Sequence, residues 1–266
     1  MPLISLTTDF GHKGPFVAVM KAVILGRCPQ ATVVDFTHEI PVHWPPEAGF
    51  WLARAWQYFP AGSVHVAVVD PGVGTERDIL LASVAGHRFL APDNGLLAPV
   101  LDAAGQPQVY RLDHARLRGA IGLASPSATF HGRDIFAPVA AELAAGRLAE
   151  SDAGEPAQDW TPSQIDPAEA GDGRVAGTVV TIDNFGNLIT NIDAAMIAGI
   201  EAPCVNVGGH RYPMAETYGR VRPGDYVGLV NSFDVVEIAR AEGNASEGLG
   251  LERGAPVTVE PTPDAV

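Results

Sequence analysis

Residues 64–77 read VHVAVVDPGVGTER, a mostly apolar segment that ends at an aspartate and a turn with two glycines. Val64–Val69 is short and rich in valine, which is typical of a strand buried on both faces of a parallel sheet. The Asp-Pro-Gly sequence that follows favours a sharp turn. This stretch therefore predicts a central strand whose carboxyl end carries a polar loop.

Helix and strand patterns alternate on both sides of this strand. Apolar residues at Phe16, Val19, Met20, Val23 and Ile24 lie on one face of a helix that opens at Gly14-Pro15. The other predicted elements are the strands Leu3–Leu6 and Thr32–Phe36, the hairpin Ile79–Val84 with Arg88–Ala91, and the helices Pro45–Trp56, Gly95–Leu101 and Ile135–Leu148. This alternation indicates an α/β domain over residues 1–150 with a mostly parallel central sheet.

The composition changes after residue 150. Residues 151–173 are acidic and rich in Ala, Pro and Gly, which predicts a linker. The strand-like segments beyond it are Val175–Ile182, Leu188–Ile192, Cys204–Val207, Tyr226–Val230, Val235–Ala239 and Ala255–Val259. Because no long helical pattern competes with them, residues 174–266 are predicted to form a smaller all-β barrel or sandwich.

Charge and composition exclude several classes of protein. Asp and Glu number 31 against 17 Lys and Arg, a net charge of −14, and no basic cluster suits a nucleic acid. No apolar segment approaches the ~20 residues of a membrane span, and the first residues do not resemble a signal peptide. We therefore expect a cytoplasmic protein with neither nucleic-acid nor membrane partners. The two cysteines, Cys28 and Cys204, predict neither a disulfide framework nor a zinc-thiolate site.

Polar residues collect at the carboxyl ends of the predicted strands, where open α/β sheets bind ligands. They are Asp9, Asp35, His38, Asp70, Asp93, Asn94 and His131. Each alone fits a cap or a turn, but several on one edge predict a site. Asp70 and Arg77 bracket the glycine-containing turn, so their side chains can pair, either to orient Asp70 or only to close the loop. At a helix N-terminus, His131 is expected to be neutral and able to orient a water, or else to cap the helix.

Two further segments carry polar or aromatic groups that suit a nucleoside ligand. Asp183–Asn187, DNFGN, offers carboxylate and amide groups for base edges, amino groups or hydroxyls, although a hairpin turn explains it equally. Asn231–Phe233 has the same two interpretations. Trp44 suits a stacking platform or surface packing.

Seven short segments occur in order from residue 3 to about 260: TTDFG, TVVDFTHEI, VVDPGVGTER, APDNGLL, TFHGRDIFAPVAA, DNFGNLITNI and NSFDVVEIA. Together they resemble the S-adenosyl-L-methionine (SAM) hydroxide adenosyltransferases, SAM hydrolases related to fluorinase and chlorinase. The resemblance implies attack of water or hydroxide on the ribose C5′ of SAM, giving adenosine and L-methionine. It also implies no metal, no organic cofactor, and a homotrimer. In the family the site lies between the N-terminal domain of one subunit and the β domain of its neighbour.

The resemblance also implies roles for residues of the first domain. Asp70, Arg77 and His131 match the Asp-Arg-His triad of the family, in which we assign Asp70 and His131 to the water and Arg77 to orienting Asp70. Asp9 matches a carboxylate that accepts both ribose hydroxyls. Trp44 matches an aromatic residue near the ribose and the sulfonium.

Residues of the second domain match substrate contacts of the family. Asp183 and Ser232 match groups that hold the methionine amino and carboxylate groups. Asn187 matches a residue bonded to adenine, and Tyr218 an aromatic stacked on adenine. The remaining members of the predicted substrate-binding set, where the spacing is looser, are Glu237 and Ala245.

Two departures from the halogenases favour hydrolysis. An uncharged group stands in halogenases at the position of Asp70, whose carboxylate would repel a halide ion. Fluorinase carries a long insertion where this chain has a short turn between Val84 and Arg88. Phe233 replaces a fluorinase arginine near the methionine carboxylate.

Other functions stay open at this point. They are a SAM-dependent halogenase, a non-catalytic SAM or adenosine sensor, and a metal-dependent nucleoside or phosphoester hydrolase. The last would use Asp9, Asp35, Asp70, Asp93 and His131 as ligands for a hard cation.

Overall fold

The chain divides into two units between Gln164 and Ile165, and a seven-stranded sheet in the order β2-β1-β3-β5-β4-β6-β7 forms the centre of the first unit. The structure is a computed structural model and describes residues 2–262. The strands are β1 (Leu3–Thr8), β2 (Thr32–Thr37), β3 (Val64–Val68), β4 (Ile79–Val84), β5 (His87–Pro92), β6 (Gln108–Leu112) and β7 (Gly154–Ala157). The neighbours β2, β1, β3 and β5 run parallel, and β4, β6 and β7 extend the sheet antiparallel. The carboxyl ends of β1, β2 and β3 therefore meet at one edge.

Helices cover both faces of this sheet. They are α1 (Phe16–Arg27), α2 (Pro45–Ala55), α3 (Ala98–Ala103), α4 (His114–Ile121), α5 (Ala137–Ala144) and α6 (Glu150–Ala153). Val66 and Val68 pack into the core beneath α1 and α5, whereas Ala67 and Val69 pack into the core beneath α2 and α3. Burial on both faces explains why the segment around β3 is apolar without alternation.

An all-antiparallel sheet of eight strands builds the second unit. Seven strands follow the order β12-β11-β15-β9-β10-β14-β13, and β8 pairs with β9. They are β8 (Glu169–Gly171), β9 (Arg174–Ile182), β10 (Leu188–Asp193), β11 (Pro203–Val207), β12 (His210–Pro213), β13 (Tyr226–Val230), β14 (Val235–Arg240) and β15 (Pro256–Pro261). A bridge between Met214 and Gly228 brings the two ends together into a nearly closed barrel. The short helices α7 (Ala194–Ile197) and α8 (Ala245–Leu249) accompany it. The predicted fold class is confirmed.

The segment predicted as a linker, residues 151–173, contains regular structure. It contains two short strands that its composition did not predict. β7 pairs with β6 at the edge of the first sheet, and β8 pairs with β9. An edge strand tolerates Pro156, because one side of it makes no ladder hydrogen bonds. The boundary between the units falls inside this segment.

Two predicted helices have different bounds in the structure. Residues 93–95 form a turn in which the Asn94 side chain donates to the Val69 carbonyl at 2.9 Å, so α3 begins only at Ala98. The predicted helix Ile135–Leu148 is a π-helical turn over Gly132–Phe136 followed by α5, which ends at Ala144. β6 and α4 were not predicted, because β6 is short and lacks a clear alternation of polar and apolar residues.

The hairpin of β4 and β5 matches its prediction. Its two-residue turn consists of Ala85 and Gly86, both with positive φ (48° and 82°), as in a type I′ turn. Among the described residues, no helix combines the length and apolar character needed to cross a membrane.

Candidate active site

The loop after β3 folds back on itself. Backbone hydrogen bonds from Val73 to Asp70 and from Thr75 to Gly72 form successive turns, both with N···O distances of 3.2 Å. They return Arg77 to Asp70, where its Nε donates to the two carboxylate oxygens at 3.0 and 3.1 Å and its Nη2 donates to Oδ2. The Asp70 side chain is only 4% exposed. Paired N–H donors fix the plane of this carboxylate as well as its position.

Gly74 allows this loop to approach a second loop. Its φ is +78°, and a Cβ there would lie 2.1 Å from the Ala128 carbonyl oxygen. Only glycine fits so close a contact in this conformation. The contact holds the Asp70 loop against residues 122–130, which lead into His131.

His131 precedes the π-helical turn, a distortion often found at functional sites. The Arg77 Nη2 lies 2.8 Å from His131 Nδ1. A guanidinium can only donate, so Nδ1 accepts, and the proton of the neutral ring is on Nε2. Burial, followed by the charge of Arg77, lowers the pKa of His131. The imidazole is therefore neutral, as expected, but its side chain makes no capping hydrogen bond, which excludes the helix-capping interpretation.

Asp9, Asp70 and His131 line one cavity of about 300 Å³ in the first unit. Asp9 directly follows β1, and its Oδ2 accepts a hydrogen bond from the His43 backbone at 2.9 Å. The remaining wall is largely apolar. The structure thus brings together three of the predicted site residues from three separate segments, with Arg77 behind two of them.

Other predicted residues of the first domain lie outside this cavity. Trp44 is half-buried at the N-cap of α2, beside the cavity residue His43. Asp93 accepts a hydrogen bond from the Thr161 backbone at 2.7 Å and fixes that segment. Asp35 and His38 contact each other instead of facing the cavity.

Three phenylalanines that sequence reasoning assigned to no site also line the cavity. Phe10, Phe16 and Phe130 contact one another edge to face, with centroid distances between 5.4 and 6.0 Å. The pattern of α1 places Phe16 on the apolar face of the helix, yet it is 47% exposed. Apolar periodicity does not distinguish a core face from a cavity wall.

In the second unit, Asp183 organises its own turn. Its Oδ1 accepts from the backbones of Phe185 and Asn187, both at 2.9 Å, and its Oδ2 accepts from the Asn187 side chain at 3.0 Å. A Cβ on Gly186 would lie 2.1 Å from the Asn244 side chain, so the turn packs directly against the start of α8. Phe185 at its tip is 76% exposed.

Asn187 and Tyr218 line a second cavity of about 440 Å³ together with Phe185 and Arg240. The Tyr218 hydroxyl donates to Glu237 Oε1 at 2.7 Å, and the Asn231 side chain donates to Oε2 at 3.1 Å. Glu237 is 2% exposed, and this burial raises the pKa of Glu237. Burial and Glu237 in turn raise the pKa of the Tyr218 hydroxyl well above its usual range. Glu237 therefore orients Tyr218.

Four predicted contacts of the second domain do not line this cavity: Asp183, Glu237, Ser232 and Ala245. Ser232 is exposed in the turn between β13 and β14, whereas Ala245 is fully buried at the start of α8. Their predicted roles as substrate contacts stay predictions.

The described part of the chain contains no cluster of side chains that could bind a metal ion. Across residues 2–262, no three His, Cys, Asp or Glu side chains lie together in an arrangement that could hold a metal ion. The acidic residues considered as ligands have other hydrogen-bond partners; Asp35, for example, accepts from His38 Nε2 at 3.0 Å.

Family models match both parts of the chain. Residues 4–152 match the SAM hydroxide adenosyltransferase N-terminal domain, and residues 177–258 match the C-terminal domain of the same family. The resemblance inferred from the sequence segments is confirmed.

Individual relatives agree with these matches over nearly the whole chain. A Thermus thermophilus protein named (R)-S-adenosyl-L-methionine hydrolase is 40% identical over 254 residues, 94% of this chain and 96% of its own length. A fluorinase from Actinopolyspora mzabensis is 27% identical over 296 residues, 97% of each chain. The crystal structure of an uncharacterized conserved protein from Thermotoga maritima has a TM-score of 0.89 at 33% identity, covering 97% of this chain and 99% of that one. The chain belongs to the SAM hydroxide adenosyltransferase family.

Proposed function

We propose that this protein is an enzyme that hydrolyses SAM to adenosine and L-methionine, without a metal or an organic cofactor. The observation that carries the proposal is the double contact of Arg77. One guanidinium holds the Asp70 carboxylate and the neutral His131 imidazole, and both of these groups line the same cavity. The hydrolase name of the Thermus thermophilus relative supports the choice of reaction.

The chemistry needs little beyond a well-placed water. The oxygen of water bonds to C5′ as the C5′–S bond breaks, and the electron pair of that bond neutralises the sulfonium to the thioether of methionine. No general acid is required at sulfur, because the leaving group departs uncharged. The protein must hold the water in line with the C5′–S bond and limit its other contacts with solvent.

We assign the two water-binding groups from their hydrogen-bonding capacity. A carboxylate only accepts, so Asp70 takes a hydrogen bond from the water and receives its proton as the C–O bond forms. With Nδ1 bonded to Arg77, the His131 ring has its N–H at Nε2 and donates to the water oxygen. This donation orients a lone pair of the water towards C5′.

The substrate contacts follow the family positions. We propose that Asp9 binds the ribose hydroxyls and Trp44 lies near the sulfonium. Asn187 and Tyr218 bind adenine, Asp183 and Ser232 bind the methionine moiety, and Glu237 and Ala245 complete the substrate-binding set. We also propose a homotrimer in which the second unit of a neighbouring subunit completes each site.

The decisive experiment is chromatography of purified protein incubated with SAM and EDTA, with and without chloride, beside Asp70→Ala. The two sulfonium epimers are assayed separately, since the Thermus thermophilus relative is named for the (R) form. We expect adenosine and methionine from wild type, unaffected by EDTA, and their loss in the variant. Activity that EDTA abolishes contradicts metal independence, and SAM bound without turnover indicates a sensor.

Halide transfer is the second candidate, because a fluorinase is similar to the whole chain. The buried Asp70 carboxylate opposes it, since an anion in the cavity would lie beside a like charge. A halogenated deoxyadenosine in the chloride sample would contradict this argument and establish a halogenase.

A further inference from the structure

Four side chains next to the Asp9 segment are linked in series by hydrogen bonds, and none of them lines the cavity. Thr8, the last residue of β1, is fully buried, and its Oγ1 lies 2.8 Å from His38 Nδ1. The His38 ring is fully buried as well, and its Nε2 lies 3.0 Å from Asp35 Oδ1. The second oxygen of Asp35 accepts from Lys21 Nζ at 2.7 Å. The proposed reaction uses none of these groups.

The direction of each hydrogen bond follows from the donors available. Asp35 as a carboxylate can only accept, so His38 donates from Nε2. In the tautomer that donates from Nε2, Nδ1 carries no proton, so it accepts from the Thr8 hydroxyl. The same Thr8 oxygen accepts from the Phe10 backbone at 3.2 Å. Each of the four side chains in this series thus has a hydrogen-bond partner, and the Thr8 hydroxyl is held in one orientation.

His38 also holds the loop through its backbone. Its carbonyl accepts a hydrogen bond from Gly11 N at 2.9 Å. Thr8 and Gly11 lie on either side of Asp9, so the segment that carries this carboxylate is attached to His38 before and after it. A loss of either attachment would let Asp9 move relative to the cavity.

We propose that His38, oriented by Asp35, is a positioning residue that fixes the Asp9 carboxylate for the two ribose hydroxyls of the substrate. The inference rests on the proposed function, in which Asp9 binds the ribose. Small displacements of a binding group weaken the interaction steeply, because hydrogen bonds depend on both distance and angle.

The test compares variants that remove or retain the bond to Thr8. His38→Leu removes the ring nitrogens, and Thr8→Val removes the hydroxyl while keeping the buried shape. Thr8→Ser keeps the hydroxyl. His12→Leu is the matched histidine control, because the His12 ring lies beside that of His38 with a centroid distance of 5.4 Å but is largely exposed.

The readouts are kcat and KM for SAM and the Kd values of adenosine and 2′,3′-dideoxyadenosine. For His38→Leu and Thr8→Val we expect KM and the adenosine Kd to rise about tenfold, as for one impaired hydrogen bond to a charged group. The kcat stays within about threefold of wild type, since the reacting groups are untouched. The dideoxynucleoside, which lacks both hydroxyls, binds all variants equally, and both controls match wild type.

The outcomes separate this inference from the proposed function. A wild type that neither hydrolyses SAM nor binds adenosine overturns both. If the wild type hydrolyses SAM and the variants bind adenosine as tightly as the wild type does, only the positioning role is overturned. If the Kd values of adenosine and 2′,3′-dideoxyadenosine rise equally in the variants, the defect is a general structural one, and this result also overturns the positioning role. If His38→Leu fails to fold, Thr8→Val and Thr8→Ser decide the question alone.

Discussion

At the scale of single residues, Arg77 is the group on which the proposed chemistry depends most. Its guanidinium contacts a carboxylate from its own loop and an imidazole that lies 54 positions along the chain. This contact fixes the orientation of Asp70 and the tautomer of His131 together. A lysine cannot replace it, because one ammonium lacks the planar, branched set of donors.

Arg77→Lys tests this dependence. We expect kcat for SAM hydrolysis to fall about 100-fold with little change in KM, because the loss is of preorganised groups around the water. The control is Arg88→Lys, the same change at an arginine that pairs with Glu150 and does not line the cavity. Steady-state kinetics measure both. A wild-type kcat in Arg77→Lys would contradict the assigned role.

At the scale of elements, the site depends on two loops that touch at one glycine. Gly74 lies in the Asp70 loop and contacts the backbone that precedes His131. The contact is between main-chain atoms, so side-chain rotation cannot relieve a clash there. The distance from Arg77 to His131 therefore depends on this point of approach.

Gly74→Ala is predicted to impair both folding and activity. Gly105→Ala is its matched control, since Gly105 also has a positive φ (70°) but, apart from its two chain neighbours, no described residue has an atom within 4 Å of the position that a Cβ would take there. The control should lose about 1 kcal/mol of unfolding free energy from backbone strain alone. Gly74→Ala should lose clearly more and also lose activity, because the loops must separate. Urea unfolding and kcat are measured for both variants. If Gly74→Ala loses no more stability than Gly105→Ala and keeps its activity, the site does not depend on the contact between the two loops.

The elements also show what the sequence could and could not predict. The strand around Val66 was predictable because burial on both faces leaves an uninterrupted apolar segment. The pairing of Asp70 with Arg77 was foreseeable because one short turn joins them. That Arg77 and His131 lie together was implied only by the resemblance to the family, because their contact depends on packing between loops that are distant in the sequence. Pro156 in β7 contributes to a composition typical of a linker, although it lies in an edge strand.

At the scale of the whole molecule, a buried pair of histidines links folding to pH. His65 lies in β3 with Nδ1 2.8 Å from Ser5 Oγ and Nε2 3.2 Å from His87 Nδ1. Burial, with a smaller contribution from His87, lowers the pKa of His65 to about 3, and burial also lowers the pKa of His87. Both rings lie towards the end of the strands opposite Asp70, so they affect the stability of the fold and not the cavity.

The sign of the resulting pH effect follows from linkage. Histidines of the unfolded chain bind protons below about pH 6.5, whereas folded His65 stays neutral until about pH 3. The unfolded state therefore binds more protons between these two pH values. As the pH is lowered through this window, the free energy of unfolding decreases by at most about 1.4 kcal/mol per pH unit for each such histidine. The stabilisation is fully present above this window.

Urea unfolding at pH 7, 6 and 5 measures this slope. His65→Phe should be less stable at pH 7, because Ser5 loses its partner, but its stability should fall less steeply towards pH 5. His12→Gln, a change at an exposed ring, should leave the wild-type slope unchanged. The same steep slope in His65→Phe would mean that other groups cause the acid sensitivity.

The hairpin between β4 and β5 offers a practical use of the fold. Its turn at Ala85 and Gly86 is exposed and lies at the end of the strands away from Asp70. An affinity tag or a fluorescent label inserted between these two residues would extend into solvent and leave both ladders of the hairpin intact. Such a label would give a handle for immobilising the protein or reporting on its tumbling while the cavity stays open to substrate.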